Sequence, residues 1–184
     1  GIVVLAVAVL PSLRVGGMQL TKGEITGPVK DTKLTPRIRE TAAALWMIYV
    51  GLNLACILAY WACGMSFFDA VCHGFTTVAT SGFANYDASL GHFENPVIEV
   101  VAIIFMLLGS ASFALHYLAW RRGSASVYAA DGEFRLLIRI AIVLSLVVAL
   151  ELALRGVYGG TGETLRHATS QAVSGLTTTG YTTS

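Results

Sequence analysis

Three stretches of this chain are apolar on every helical face for long enough to cross a bilayer, and the polar residues gather between them. Thr41 to Cys63 carries no charge at all. Val97 to Trp120 carries only Glu99 near its start and His116 near its end. Phe134 to Leu154 keeps its charges at the two ends, as Arg135, Arg139 and Glu151. About 20 mainly apolar residues, at 1.5 Å each, cover roughly 30 Å of hydrocarbon. The pattern therefore predicts spanning helices over 41–63, 97–120 and 134–154. A fourth apolar run, Gly1 to Leu10, halts at Pro11 and reaches about half a bilayer. It reads as the closing part of a helix, residues 1–11.

Two further segments are neither spans nor plain loops. Residues 64–96 are too long and too apolar for a simple connection. Ser66 and Asp69 stand three apart, as in a capping box, and open a short helical run from Ala70 to Val78. Thr80-Ser81-Gly82-Phe83 follows, where the glycine ends the helix. A short helix with an irregular return makes a re-entrant loop, and such backbone survives at membrane depth only against protein or a water-filled cavity. The pattern then recurs. Glu163 to Gly175 suits a short helix with Thr161 as its cap, and Thr178-Thr179-Gly180-Tyr181 follows it. Aligning Gly82 with Gly180 sets an offset of 98 residues (180 − 82). The same register brings Phe75 onto Val173, Val78 onto Leu176, and His73 onto Gln171. The unit is thus helix, pore loop, helix, repeated. It organises the chain as 1–11 (end of a first repeat), 12–40 (loop), 41–120 (second repeat, with pore helix and loop at 66–86), 121–133 (loop) and 134–184 (start of a third, with pore helix and loop at 163–184).

Composition narrows the class. Hydrophobic residues make up 55% of the 184 and charged ones 12%, about half the share of a soluble domain. Disorder, a nucleic-acid partner and a disulfide scaffold are excluded, and the net charge of +1 offers no field for polyanions. Cys56, Cys63 and Cys72 match no CxxC metal pattern and read as free thiols. No motif calls for a cofactor. The fold class is all-α, a polytopic membrane protein.

Charge sets the orientation. Arg14, Lys22, Lys30, Lys33, Arg37 and Arg39 fill the loop 12–40, while Arg121, Arg122, Arg135 and Arg139 flank the loop 121–133. Segment 64–96 has no Lys or Arg. Positive-inside bias puts both basic loops in the cytoplasm and 64–96 outside. Both T-x-G-[FY] tetrapeptides then lie towards the outer side.

Their chemistry suits a dehydrated monovalent cation, which needs oxygens in place of its water. Glycine frees the backbone to aim carbonyls, threonine adds a hydroxyl, and the aromatic wedges the strand. The short helix before each tetrapeptide turns its partly negative carbonyl end towards the ion path. One competing constellation exists. Ser112 and His116 stand one turn apart, as in an intramembrane serine hydrolase, but the small residues Gly109-Ser110-Ala111-Ser112 are better explained by close helix packing.

The segments HGFTTVATSGFANYDASLGHF and VSGLTTTGYTTS, with RVGGMQL and GPVKDTKLTPRIRETA in the first basic loop, resemble the Trk/Ktr/HKT superfamily of potassium transporters over essentially the whole chain. The resemblance implies four helix–pore loop–helix repeats around one K⁺ pathway in a bacterial inner membrane. It also implies a homodimer and a cytoplasmic nucleotide-binding regulatory subunit of the TrkA type. Thr80, Ser81, Gly82 and Phe83, and Thr178, Thr179, Gly180 and Tyr181, would line the K⁺ filter, with K⁺ as cargo. A Na⁺-dependent Ktr-type system is the alternative within the superfamily. Ser81 stands where many relatives have glycine, and Ala84 and Thr182 follow the aromatics where K⁺ channels have a second glycine.

Overall fold

A computed structural model describes residues 38–183, with side chains from residue 44 onwards. The helix end expected at 1–11 and almost all of the loop 12–40 lie outside the described residues. The chain divides into two compact units, 1–50 and 51–184. Of the first, only the opening part of one helix is described, and the packing below concerns the second.

Seven α-helices occur among the described residues. They are α1 (Ile38–Ala62), α2 (Phe67–Val78), α3 (Pro96–Ser110), α4 (Phe113–Arg122), α5 (Ser126–Ala130), α6 (Gly132–Arg155) and α7 (Thr161–Leu176). A 3₁₀ turn, Ser89–Phe93, precedes α3. Ala44–Ala62 and Gly132–Arg155 are long and apolar enough to cross a membrane. Along α6, Leu136, Val143, Leu146, Val147, Leu150 and Leu154 are all exposed. Water would not tolerate that ridge, whereas hydrocarbon does.

The expected span over 97–120 is two helices, α3 and α4, bent by 99° at the break. Hydropathy does not register the cause, which is local. Ala111 and Ser112 take extended angles (ψ 153° and 128°), and the Ser110 hydroxyl turns back onto the Leu107 carbonyl at 3.0 Å. The Leu108 carbonyl freed by the break receives the Ala111 N–H at 3.2 Å and the His116 Nε2 at 2.9 Å. The other ring nitrogen of His116 meets the Tyr128 hydroxyl at 2.7 Å. Irregular backbone inside a membrane protein thereby finds internal partners.

Caps position the short helices. The Ser66 hydroxyl accepts the Asp69 N–H at 3.1 Å, as its spacing predicts, and donates to the Asp69 carboxylate at 2.6 Å. At α7 the cap is Gly160, not Thr161, which is already helical; no side chain caps this end, and the Thr164 hydroxyl instead bonds the Gly160 carbonyl at 2.9 Å.

Helix α3 packs against both short helices, α2 and α7, while α6 packs along α7. Two glycines permit close approaches between helices. A Cβ on Gly109 of α3 would come to 2.6 Å from the Val78 carbonyl oxygen, so α3 lies directly on the last turn of α2. A Cβ on Gly74 would strike the Ile57 side chain, where α2 lies against α1.

Candidate functional site: two glycine loops behind short helices

Helix α2 ends at Val78 and α7 at Leu176, and each chain then leaves by the same route. Ala79 N–H bonds the Phe75 carbonyl, Thr80 N–H the Thr77 carbonyl, and Ser81 N–H the Thr76 carbonyl, at 3.0, 3.1 and 2.9 Å. In the second loop, Thr177 bonds Val173, Thr178 bonds Gly175, and Thr179 bonds Ser174, at 2.9, 3.2 and 2.9 Å. Every one of these six positions obeys the 98-residue register.

The backbone handedness matches as well. Thr80 and Gly82 have φ of 49° and 66°, and Thr178 and Gly180 have 58° and 86°, while Ser81 and Thr179 between them stay outside the positive region. Threonine at positive φ is strained by about 1–3 kcal/mol, and persists only where the surroundings over-determine it. Here the N–H bonds just named do so. Positive φ at alternate residues gives a backbone that can turn carbonyls towards an ion.

The loops meet at Gly82. A Cβ there would overlap the Thr179 carbonyl oxygen and sit 2.8 Å from the Thr179 carbonyl carbon. Gly180 has open space at the equivalent point, so only its φ requires glycine.

The two aromatics differ. Tyr181 is 1% exposed, and its hydroxyl reaches Thr76 Oγ1 at 2.5 Å and Thr77 Oγ1 at 3.1 Å, and donates to the His73 carbonyl at 3.3 Å, all on α2. Its carbonyl accepts the Ser174 hydroxyl at 2.8 Å. Tyr181 thus acts as a side-chain wedge between the loop after α7 and helix α2. Phe83 is 76% exposed. Tyr60 of α1, which no motif in the sequence marks, completes the hydroxyl cluster through Thr77 at 2.8 Å. Its place in an uncharged span hides it, since tyrosine there reads as apolar bulk.

His73 is fully buried behind the loop. Its Nδ1 bonds the Asp69 carbonyl of its own helix at 2.9 Å, and its ring stacks on Tyr181 with centroids 6.1 Å apart. The 3₁₀ turn closes the pair of loops. Gly91 N–H bonds the Thr182 carbonyl at 3.3 Å, and Thr182 N–H bonds the Ser89 hydroxyl at 3.3 Å. The Ser112 and His116 pair is not brought together as a nucleophile and base. His116 already has both nitrogens engaged, to Leu108 and Tyr128, and Ser112 only precedes α4.

Spanning helices, with short helices that feed irregular glycine loops, define a membrane protein of pore-loop architecture. The family model for TrkH, described as a cation transport protein, matches residues 1–184. The chain belongs to the TrkH family. The Trk system potassium uptake protein TrkH of Vibrio parahaemolyticus is 47% identical over 185 residues, covering 100% of this chain and 38% of that protein. TrkH of Halomonas elongata is 49% identical over 181 residues, 98% of this chain and 37% of its own length. The crystal structure of the potassium transporter TrkH from Vibrio parahaemolyticus superposes with a TM-score of 0.80 at 41% identity, across 100% of this chain and 36% of that one. The chain thus spans a little over a third of the length of the relatives it matches.

Proposed function

We propose that these residues form part of a potassium uptake protein of the bacterial inner membrane, with K⁺ passing in single file between the two glycine loops and further loops of the same kind. The single observation that carries this reading is the repeated backbone. Thr80 and Gly82, then Thr178 and Gly180, hold the same positive-φ pattern at the end of equivalent short helices. Backbone carbonyls of Thr80, Ser81, Gly82, Phe83, Thr178, Thr179 and Gly180 line the path, and Tyr181 holds the third arm in place through its side chain. The basic loops face the cytoplasm, where they meet anionic lipid and a nucleotide-binding regulatory subunit of the TrkA type, and the complete protein works as a homodimer. Two arms do not enclose an ion, so the complete protein supplies the others.

The test is K⁺ uptake by the complete protein in a bacterial strain without its own K⁺ transporters, with Na⁺ present and absent. Growth at low external K⁺ that does not require Na⁺ is the expected result. Uptake that appears only with Na⁺ would instead assign a Na⁺-dependent Ktr-type system. No uptake from protein present in the membrane would reject the function.

A further inference from the structure

Behind the outer end of each loop the same two positions are tied together by different chemistry. In the second repeat the Asn85 amide donates to the Asp69 carboxylate at 2.9 Å. In the third repeat His167 Nδ1 meets the Thr183 hydroxyl at 2.9 Å. Both ties span 16 residues. On the 98-residue register His167 is the counterpart of Asp69 and Thr183 that of Asn85. Each tie runs from the opening turns of the short helix to the third residue after the central glycine.

The anchors are themselves held. Asp69 accepts the Ser66 hydroxyl at 2.6 Å, the Asn85 amide, and the Tyr86 hydroxyl at 3.2 Å. These donors, Ser66 first, hold its carboxyl below the ordinary carboxylate range and so keep it an acceptor. His167 is fixed from the other side. Arg166 Nη2 lies 3.2 Å from His167 Nε2, and guanidinium only donates, so Nε2 accepts and Nδ1 carries the proton towards Thr183. Arg166 in turn pairs with the buried Glu99 of α3 at 3.4 Å, and the Tyr158 ring stacks on His167 with centroids 4.6 Å apart.

We propose that Asp69–Asn85 and His167–Thr183 are paired struts that set the outer ends of the two filter arms, making Asp69 and His167 positioning residues for ion selectivity. The proposal rests on the reading of these loops as the K⁺ filter. A strut fixes where the carbonyls upstream of Asn85 and Thr183 stand, and discrimination between K⁺ and Na⁺ depends on that placement more than on the presence of the loop. Asn in place of His167 keeps an N–H near the Nδ1 position, so it preserves the strut where alanine removes it.

The experiment measures K⁺ and Na⁺ uptake by the complete protein, with the amount in the membrane quantified, for His167→Ala, His167→Asn, Thr183→Ala and the His167→Ala/Thr183→Ala pair. Gly180→Ser runs in parallel as a probe of the filter itself. Losing one hydrogen bond predicts a fall in K⁺-over-Na⁺ preference of roughly two- to tenfold for His167→Ala and for Thr183→Ala. The double variant should be no worse than either single one, because both remove the same bond, and His167→Asn should restore the preference. Thr183→Ala, outside any helix, carries the test should His167→Ala fail to reach the membrane. Unchanged preference in the strut variants, with a changed preference in Gly180→Ser, overturns the struts and leaves the filter standing. Unchanged preference in all of them overturns both.

Discussion

Gly82→Ala in the complete protein is expected to damage K⁺ handling more than any other single methyl added to these loops. Two costs coincide at this position. Its φ of 66° is strained for alanine by about 1–3 kcal/mol. The added Cβ also overlaps the Thr179 carbonyl oxygen of the neighbouring arm, and that oxygen is backbone, so it cannot rotate away. Strain alone corresponds to roughly five- to a hundredfold in ion affinity if it displaces the bound geometry. The overlap adds to this by pushing Thr179 off its place. Gly180→Ala meets open space and should pay only for its φ of 86°. The predicted order of apparent KM for K⁺ is therefore Gly82→Ala above Gly180→Ala above the unaltered protein. Equal, unchanged values for both variants would show that neither loop binds the ion.

Tyr181→Ala has the second large effect, and it acts through packing. The ring is 1% exposed and lies between its own loop and α2. Removing a buried aromatic costs about 3–5 kcal/mol, and here that cost falls on the docking of the loop after α7 against α2. Tyr181→Phe should be far milder. It loses the hydroxyl, yet Thr76 and Thr77 keep bonds of 3.2 and 2.6 Å to the Cys72 and His73 carbonyls, so no buried donor is stranded. About 1 kcal/mol is expected for that change. Thermal stability of the purified complete protein, measured beside K⁺/Na⁺ preference, separates the two variants. Alanine should lower both readings, whereas phenylalanine should leave the preference nearly intact. If phenylalanine proves as harmful as alanine, the hydroxyl and not the wedge is the essential part.

Most of the architecture is written in features with a long period. Three uncharged or end-charged apolar stretches, and ten of the twelve basic residues gathered in or beside alternate connections, are collective properties that no single contact overrides. The loops are marked by chemistry that a local rule reads well: a capping serine three before Asp69, then a glycine where the backbone must take positive φ. The break between α3 and α4 is invisible to hydropathy because Gly109, Ser110, Ala111 and Ser112 are as apolar or small as a continuous helix allows. The carbonyl it frees, that of Leu108, is satisfied by a ring nitrogen of His116, a contact eight residues apart. Thr161 reads as a cap by residue type, but the chain turns one residue earlier, at Gly160. The struts were hidden for a different reason. Asp–Asn and His–Thr share no residue type, so only the bond at matching positions in both repeats makes them the same device.

Contact between the transported ion and backbone carbonyls of these two loops underlies every prediction above. Its most direct measurement is a crystal structure of the complete protein soaked in Tl⁺ or Rb⁺, with anomalous scattering used to locate the ion. An anomalous peak is expected on the axis between the loops, at coordination distance from carbonyls among Thr80 to Phe83 and Thr178 to Gly180. Ions bound in the protein only at positions away from both loops would contradict it.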